Sequence, residues 1–245
     1  MNKKRYYLLD SIRGFALINM ILYHAAWDLV YMFDVNWNWY RSNGAYIWQQ
    51  CICWTFILVS GFCFSFGRNK AKRGAIVFLC GLIITFVTCT IMPESRVVFG
   101  ILTLLGSCML ILALLEPILV KTNPYIGTIC CLFLFLLTRN INEGFLGFEK
   151  WNLIALPNNL YQNLLSTFLG FPESGFYSTD YFAILPWIFL FTTGFYLNKI
   201  FQRKDWLRIL QPRTLKPLEW LGKHSLPIYM IHQPIIYVVL SLILG

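Results

Sequence analysis

Apolar residues in this chain come in runs too long for the core of a soluble domain. Residues 8–32, 44–66, 74–92, 97–120, 124–140, 180–200 and 224–244 each carry such a run; about 20 helical residues cross the hydrocarbon of a bilayer. No water reaches that depth, so a spanning segment must satisfy its backbone polar groups internally, as a helix or in a closed barrel. Barrel strands alternate in polarity over about ten residues, whereas these runs are continuous. The expectation is therefore all-α: a polytopic integral membrane helical bundle of about seven transmembrane helices, the fifth run being the shortest. With 58% hydrophobic and only 13% charged residues, the composition points the same way. No fixed-period repeat or low-complexity tract divides the chain, which reads as a single domain over residues 1–245.

A net charge of +9 would suggest a nucleic-acid partner in a soluble protein. Here the cations are segregated by side. Fifteen (Lys3, Lys4, Arg5, Arg68, Lys70, Lys72, Arg73, Lys121, Lys199, Arg203, Lys204, Arg208, Arg213, Lys216 and Lys223) fall on connections that share one face, and four (Arg41, Arg96, Arg139 and Lys150) on the other. Cytoplasmic loops carry the excess of Lys and Arg, so the N-terminus is expected in the cytoplasm and the C-terminus outside, in a multi-pass protein of the plasma membrane. The basic start resembles a signal peptide, but Asp10 and Arg13 interrupt its apolar run and no small-residue cleavage site follows, so an uncleaved first span is expected. The eight cysteines have neither disulfide nor metal spacing, which leaves them as small buried packing residues and predicts no metal site.

The first run alone carries four ionisable residues, Asp10, Arg13, His24 and Asp28. Such groups are costly in hydrocarbon and are usually retained for function. At about 100° and 1.5 Å per residue, Arg13 and His24 lie on nearly one line, about 16 Å apart in depth. Asp28 follows one turn later, Asp10 falls in the same sector, and Leu17 and Ile21 fill the stripe between them. In the last run, Pro227 and Pro234 bracket His232; a proline inside a helix leaves a carbonyl without its donor. The outer connection 141–179 is long and amphipathic, suited to the interface or to a lid. The inner connection 199–223 is basic with two tryptophans, suited to a surface helix held by headgroups or to an anion-binding floor.

The stretches Leu9-Asp-Ser-Ile-Arg-Gly14 and Tyr23-His-Ala-Ala-Trp-Asp28 resemble those of the bacterial relatives of heparan-alpha-glucosaminide N-acetyltransferase, and Arg13-x10-His24 is similar to the Arg and His pair of membrane acyltransferase family 3. Three further stretches follow in matching order: Phe56-Ile-Leu-Val-Ser-Gly-Phe62, Asp180-Tyr-Phe-Ala-Ile-Leu-Pro-Trp187 and Leu221-Gly-Lys-His-Ser-Leu-Pro-Ile-Tyr-Met-Ile-His232. One departure is Thr103, which stands where bacterial relatives often carry a histidine. The resemblance implies an acyltransferase that takes an acyl group, usually acetyl, from cytoplasmic acetyl-CoA as co-substrate. It would deliver that group to a saccharide-like acceptor, at an amine or a hydroxyl, on the far side of the lipid membrane. No nucleic acid is implied, and a homodimer is compatible with it.

Acyl transfer needs a deprotonated nucleophile, a place for the oxyanion and exclusion of water. His24 is the candidate base or acyl acceptor, with Asp28 orienting its imidazole and His232 as a second acid/base or oxyanion donor. Arg13 lies too far from His24 to reach the same carbonyl; it either binds the phosphates or pantetheine amides of coenzyme A or pairs with Asp10. With Asp10 and Arg13, the residues Ser60, Gly61, Arg68 and Arg73 form the candidate donor site. Trp37 and Trp39 are candidates to stack on a sugar or to join the interfacial aromatic belt. Asp180, with Trp187 beyond it, either orients the acceptor or caps the sixth helix. A transporter or permease is the competing reading, because a polar stripe with a proline-broken helix also suits a pore. A retinal protein is disfavoured, since the last run has no interior lysine for a Schiff base. Reporter fusions test the charge asymmetry: an N-terminal tag is expected to be inaccessible from outside intact cells and a C-terminal tag accessible, and the reverse pattern contradicts it.

Overall fold

The computed structural model describes residues 5–244, so Lys3 and Lys4, two of the cations above, lie outside the described residues. The chain is mostly helical, at 71%. It forms two compact units, Met1–Val59 with Phe201–Gly245 and Ser60–Ile200.

The first unit contains α1 (Tyr7–Tyr31) and most of α2 (Asn43–Phe64). The second contains α3 (Lys70–Ile91), α4 (Ile101–Leu119), α5 (Pro124–Leu137), a hairpin of β1 (Phe145–Phe148) and β2 (Trp151–Ala155), a short α6 (Leu164–Leu169) and most of α7 (Trp187–Arg203). The chain then returns to the first unit through α8 (Lys216–Lys223) and α9 (Ser225–Leu244).

In the first unit α8 docks along the beginning of α1. Two glycines make this approach possible: a Cβ on Gly14 would meet the Leu218 carbonyl, and one on Gly222 would meet the Asp10 carbonyl. Polar bonds fix the contact. Ser11 is hydrogen-bonded through its hydroxyl to that of Thr214, and the Thr214 amide donates to Glu219 Oε1 at 2.7 Å, which satisfies the buried Glu219. The inner connection is thus docked on α1 through α8, while Trp206 and Trp220 remain exposed. Further along, buried Leu17, Met20 and Ile52 form an apolar cluster with Ile21, Phe56, Ile228 and Tyr229, so α1, α2 and α9 meet there. Tyr40 and Ala45 pack with Ala26 and Val30 at the far end.

In the second unit α3 and α4 form an antiparallel pair in backbone contact. Gly74 and Gly81 are the buried residues of α3. A Cβ on Gly81 would press on the Thr103 backbone, and one on Gly106 would press on that of Phe78. Phe135 and Trp187 pack between α5 and α7, and Phe191 and Phe195 of α7 pack on Phe64 at the end of α2. Small residues at a helix interface let backbones approach closely where no hydrophobic drive separates lipid from protein.

Four helices, α2, α3, α4 and α9, are long and apolar enough to cross a membrane. Of the other expected spans, α1 is long but carries its ionisable residues, while α5 has 14 residues and α7 has 17. At 1.5 Å per residue α5 reaches only about 21 Å. It stops short of residue 140 because Thr138 turns its hydroxyl back to the Leu134 carbonyl and the Asn140 amide bonds the Gly147 carbonyl. The segment expected to open the span at 180–200 is extended before α7: the Thr179 amide bonds Arg96 O and the Phe182 amide bonds Phe99 O.

The purely helical expectation also needs correction at the outer connection. Trp151–Ala155 is a strand paired antiparallel with β1. Asn140 secures that hairpin, its amide donating to Glu149 O and Asn152 Oδ1, both at 2.7 Å. Nor are the cysteines mainly buried. All are free thiols, and Cys108 is buried while Cys51, Cys89 and Cys130 lie exposed on apolar helices.

The glycine contacts predict the effect of bulk. Gly106→Leu is expected to lower the thermal midpoint of the detergent-solubilised protein, in line with overpacking costs of about 1–3 kcal/mol. Gly44→Ala, whose added methyl would lie 3.4 Å from its nearest neighbours, should leave it unchanged; equal midpoints for both variants contradict the packing.

Candidate functional site

The ionisable stripe of α1 meets α9 at two levels. At the lower level the Arg13 guanidinium donates to Ser225 Oγ at 2.5 Å, at the start of α9. Asp10 is not its partner: Arg5 takes that carboxylate, with N···O at 2.8 Å. The sequence expectation of an Asp10–Arg13 pair therefore gives way to two separate contacts. Arg213 lies over the Tyr7 ring at 5.0 Å, adding a cation near the same end of α1.

The upper level joins α1 to consecutive residues of α9. The His24 and His232 rings meet edge to face, with centroids 4.9 Å apart and planes at 65°. One turn later on α1, Asp28 Oδ1 accepts a 2.6 Å hydrogen bond from Gln233 Nε2. Asp28 is thus held by Gln233 and not by His24, which replaces the expected orientation of the imidazole by the carboxylate. His232 Nδ1 lies 2.6 Å from the Tyr229 carbonyl. A carbonyl only accepts, so Nδ1 carries the proton of the neutral ring and Nε2 presents a lone pair. His232 Nε2, Asp28 Oδ2 and Gln233 Oε1 are buried without partners among the described residues. Buried polar atoms are normally paired, and these three can still accept hydrogen bonds. Between the two levels lie Leu17, Met20, Ile21 and Ile228.

The matched contacts also fix a direction. Arg13 meets Ser225 and His24 meets His232, so numbers rise together and α1 and α9 run parallel.

An aromatic file leads away from the upper level. Tyr23 adjoins His24, Tyr40 and Trp48, with centroids at 6.4, 5.1 and 5.3 Å. Trp48 continues to Trp39 at 6.0 Å and Trp39 to Trp37 at 5.9 Å. Trp37 and Trp39 are both exposed. Burial raises the pKa of the Tyr40 hydroxyl, which keeps it a donor toward the Tyr23 carbonyl.

The remaining candidates belong to the second unit. Ser60 is half-buried on α2, and Gly61 makes room for α7, since a Cβ there would meet the Phe191 carbonyl. Arg68 and Arg73 are exposed around the start of α3. Asp180 Oδ2 accepts from the Ile101 amide at 3.4 Å, so the helix it caps is α4 and not the one that follows it in sequence. Trp187 is buried between Phe135 and Phe182, with Arg139 over its ring at 5.1 Å. Thr103 is buried against Gly81, and its hydroxyl has no partner among the described residues.

Tyr229 and Gln233 stand beside His232 in sequence, whereas Ser225, the partner of Arg13, carries no sequence expectation. A signal for Ser225 existed: Ser225, Tyr229, His232 and Gln233 recur at helical spacing and share the side of α9 that meets α1.

No curated protein and no solved structure matched this chain. The family model described as "Heparan-alpha-glucosaminide N-acetyltransferase, catalytic" matches residues 5–234, a span that takes in both levels of the α1–α9 contact. The chain belongs to the heparan-alpha-glucosaminide N-acetyltransferase family of membrane acetyltransferases.

Proposed function

We propose that the chain is one transmembrane acyltransferase domain that moves acetyl from cytoplasmic acetyl-CoA to an amine or hydroxyl of a saccharide on the outer side of the plasma membrane. The observation that carries this reading is the division of one helix pair into a basic level, Arg13 with Ser225, and a deeper imidazole level, His24 with His232, separated by apolar side chains. Arg13 and Arg213, near the same end of α1, supply charge for the phosphates of the donor. The apolar layer suits the arm that carries the thioester. It also interrupts the continuous polar path that a permease needs.

Two histidines serve the chemistry. His24 takes the proton of the acceptor as it attacks the thioester carbonyl, or itself accepts the acetyl group first; in either case the C–S bond breaks and coenzyme A leaves as a thiolate that takes up the released proton. His232, with its lone pair on Nε2, receives or relays the proton, and Asp28 stabilises the positive charge that develops. Trp37 and Trp39 offer flat exposed faces on which a sugar ring stacks.

The parallel run of α1 and α9 supports an odd number of crossings. Counting α1, α5 and α7 with the four apolar helices gives seven, and the segregated cations support an N-terminus on the inside.

The test is transfer of labelled acetyl from coenzyme A to glucosamine by purified protein, comparing wild type with His24→Ala. Loss of the base is expected to lower kcat by about 10²–10⁴-fold with the donor still bound. Absence of any specific coenzyme A binding overturns the donor, and full activity in His24→Ala overturns the role given to that residue.

A further inference from the structure

We infer that Gln233 is a positioning residue for acetyl transfer, fixing the Asp28 carboxylate so that a set of acceptor atoms is left open to a donor-bearing group; this rests on the reading proposed above. Asp28 is fully buried, and Gln233 Nε2 is its hydrogen-bond donor at 2.6 Å. That bond settles two orientations at once. It occupies Asp28 Oδ1 and leaves Oδ2 open. It also turns the Gln233 amide so that the acceptor Oε1 remains and one donor is spent.

The neighbour on α9 completes the set. His232 Nδ1 is committed to the Tyr229 carbonyl, so Nε2 is an acceptor too. Asp28 Oδ2, Gln233 Oε1 and His232 Nε2 are all acceptors, all buried, and none has a donor among the described residues. A leucine or methionine at position 233 would fill the space at no polar cost, so a half-buried glutamine with its Oε1 shielded from solvent is costly unless its bonds are used. A group with N–H or O–H donors fits this site, as the acceptor's nucleophile does before it loses its proton. An anion or a bare carbonyl does not. Gln233 therefore acts through Asp28: it holds the carboxylate where its open oxygen and the His232 lone pair face the same incoming group.

The experiment is a double-mutant cycle on the purified full-length protein, with labelled acetyl transfer to glucosamine as the readout. Gln233→Met keeps the shape and removes the donor. It is expected to lower kcat by about tenfold or more while KM for acetyl-CoA stays within about twofold and the thermal midpoint is retained. The Asp28→Asn/Gln233→Met double variant should be no slower than Asp28→Asn alone, because residues acting as a unit are not additive. Losses that multiply, or a Gln233→Met enzyme with wild-type kcat, overturn the inference and leave the acetyltransferase reading intact. Should Gln233→Met fail to fold, Gln233→Glu replaces it: two carboxyl groups at hydrogen-bond distance repel once both ionise, so its kcat should fall relative to wild type as pH rises, and a parallel pH profile overturns the inference. A wild-type protein that transfers no acetyl overturns both.

Discussion

A buried polar side chain has to find its partner on another part of the fold, and three ionisable residues of α1 find theirs on α9. Arg13 is answered by Ser225, His24 by His232 and Asp28 by Gln233. These contacts fix the register and direction of the two helices far more narrowly than their apolar residues could, since lipid competes with any apolar helix face on nearly equal terms. The docking of α8 on α1 through Gly14 and Gly222 reinforces the same register from below, because α8 leads into α9 after a single residue.

The chemistry of the first unit follows from what this pairing leaves over. Asp28, Gln233 and His232 each spend one polar atom on holding the structure and keep one without a partner. A core built only for stability would pair them all or replace them with hydrocarbon. The unpaired remainder stands at the imidazole level, where the proposed transfer needs an acceptor group held and deprotonated, and not at the Arg13 level below the apolar cluster.

Much of this was legible in the chain itself. Ionisable residues recurring on one face of the first run give the stripe, and the Leu17–Ile21 interval gives its apolar middle. The family resemblance was carried by stretches that all fall within residues 5–234. What could not be read was which residue answers which. Asp10 faces Arg5 because its neighbour Arg13 is drawn to α9, a choice made in three dimensions. Asp28 prefers an amide donor on α9 to an imidazole one turn away on its own helix. The hairpin at Phe145–Ala155 escaped a reading tuned to long apolar runs, because its order depends on Asn140 and on a crossing of backbone bonds between short segments. The caps are equally non-local: Asp180 serves α4, 79 residues away.

The central claim is that one chain carries acetyl from donor to acceptor across the membrane through the α1–α9 contact. The most direct measurement reconstitutes the purified protein in sealed liposomes, with labelled acetyl-CoA confined to the face bearing the N-terminus and glucosamine confined to the other. The account predicts labelled acetylglucosamine on the glucosamine side, lost in His24→Ala. Product that forms only when donor and acceptor share one side, or none at all, contradicts it.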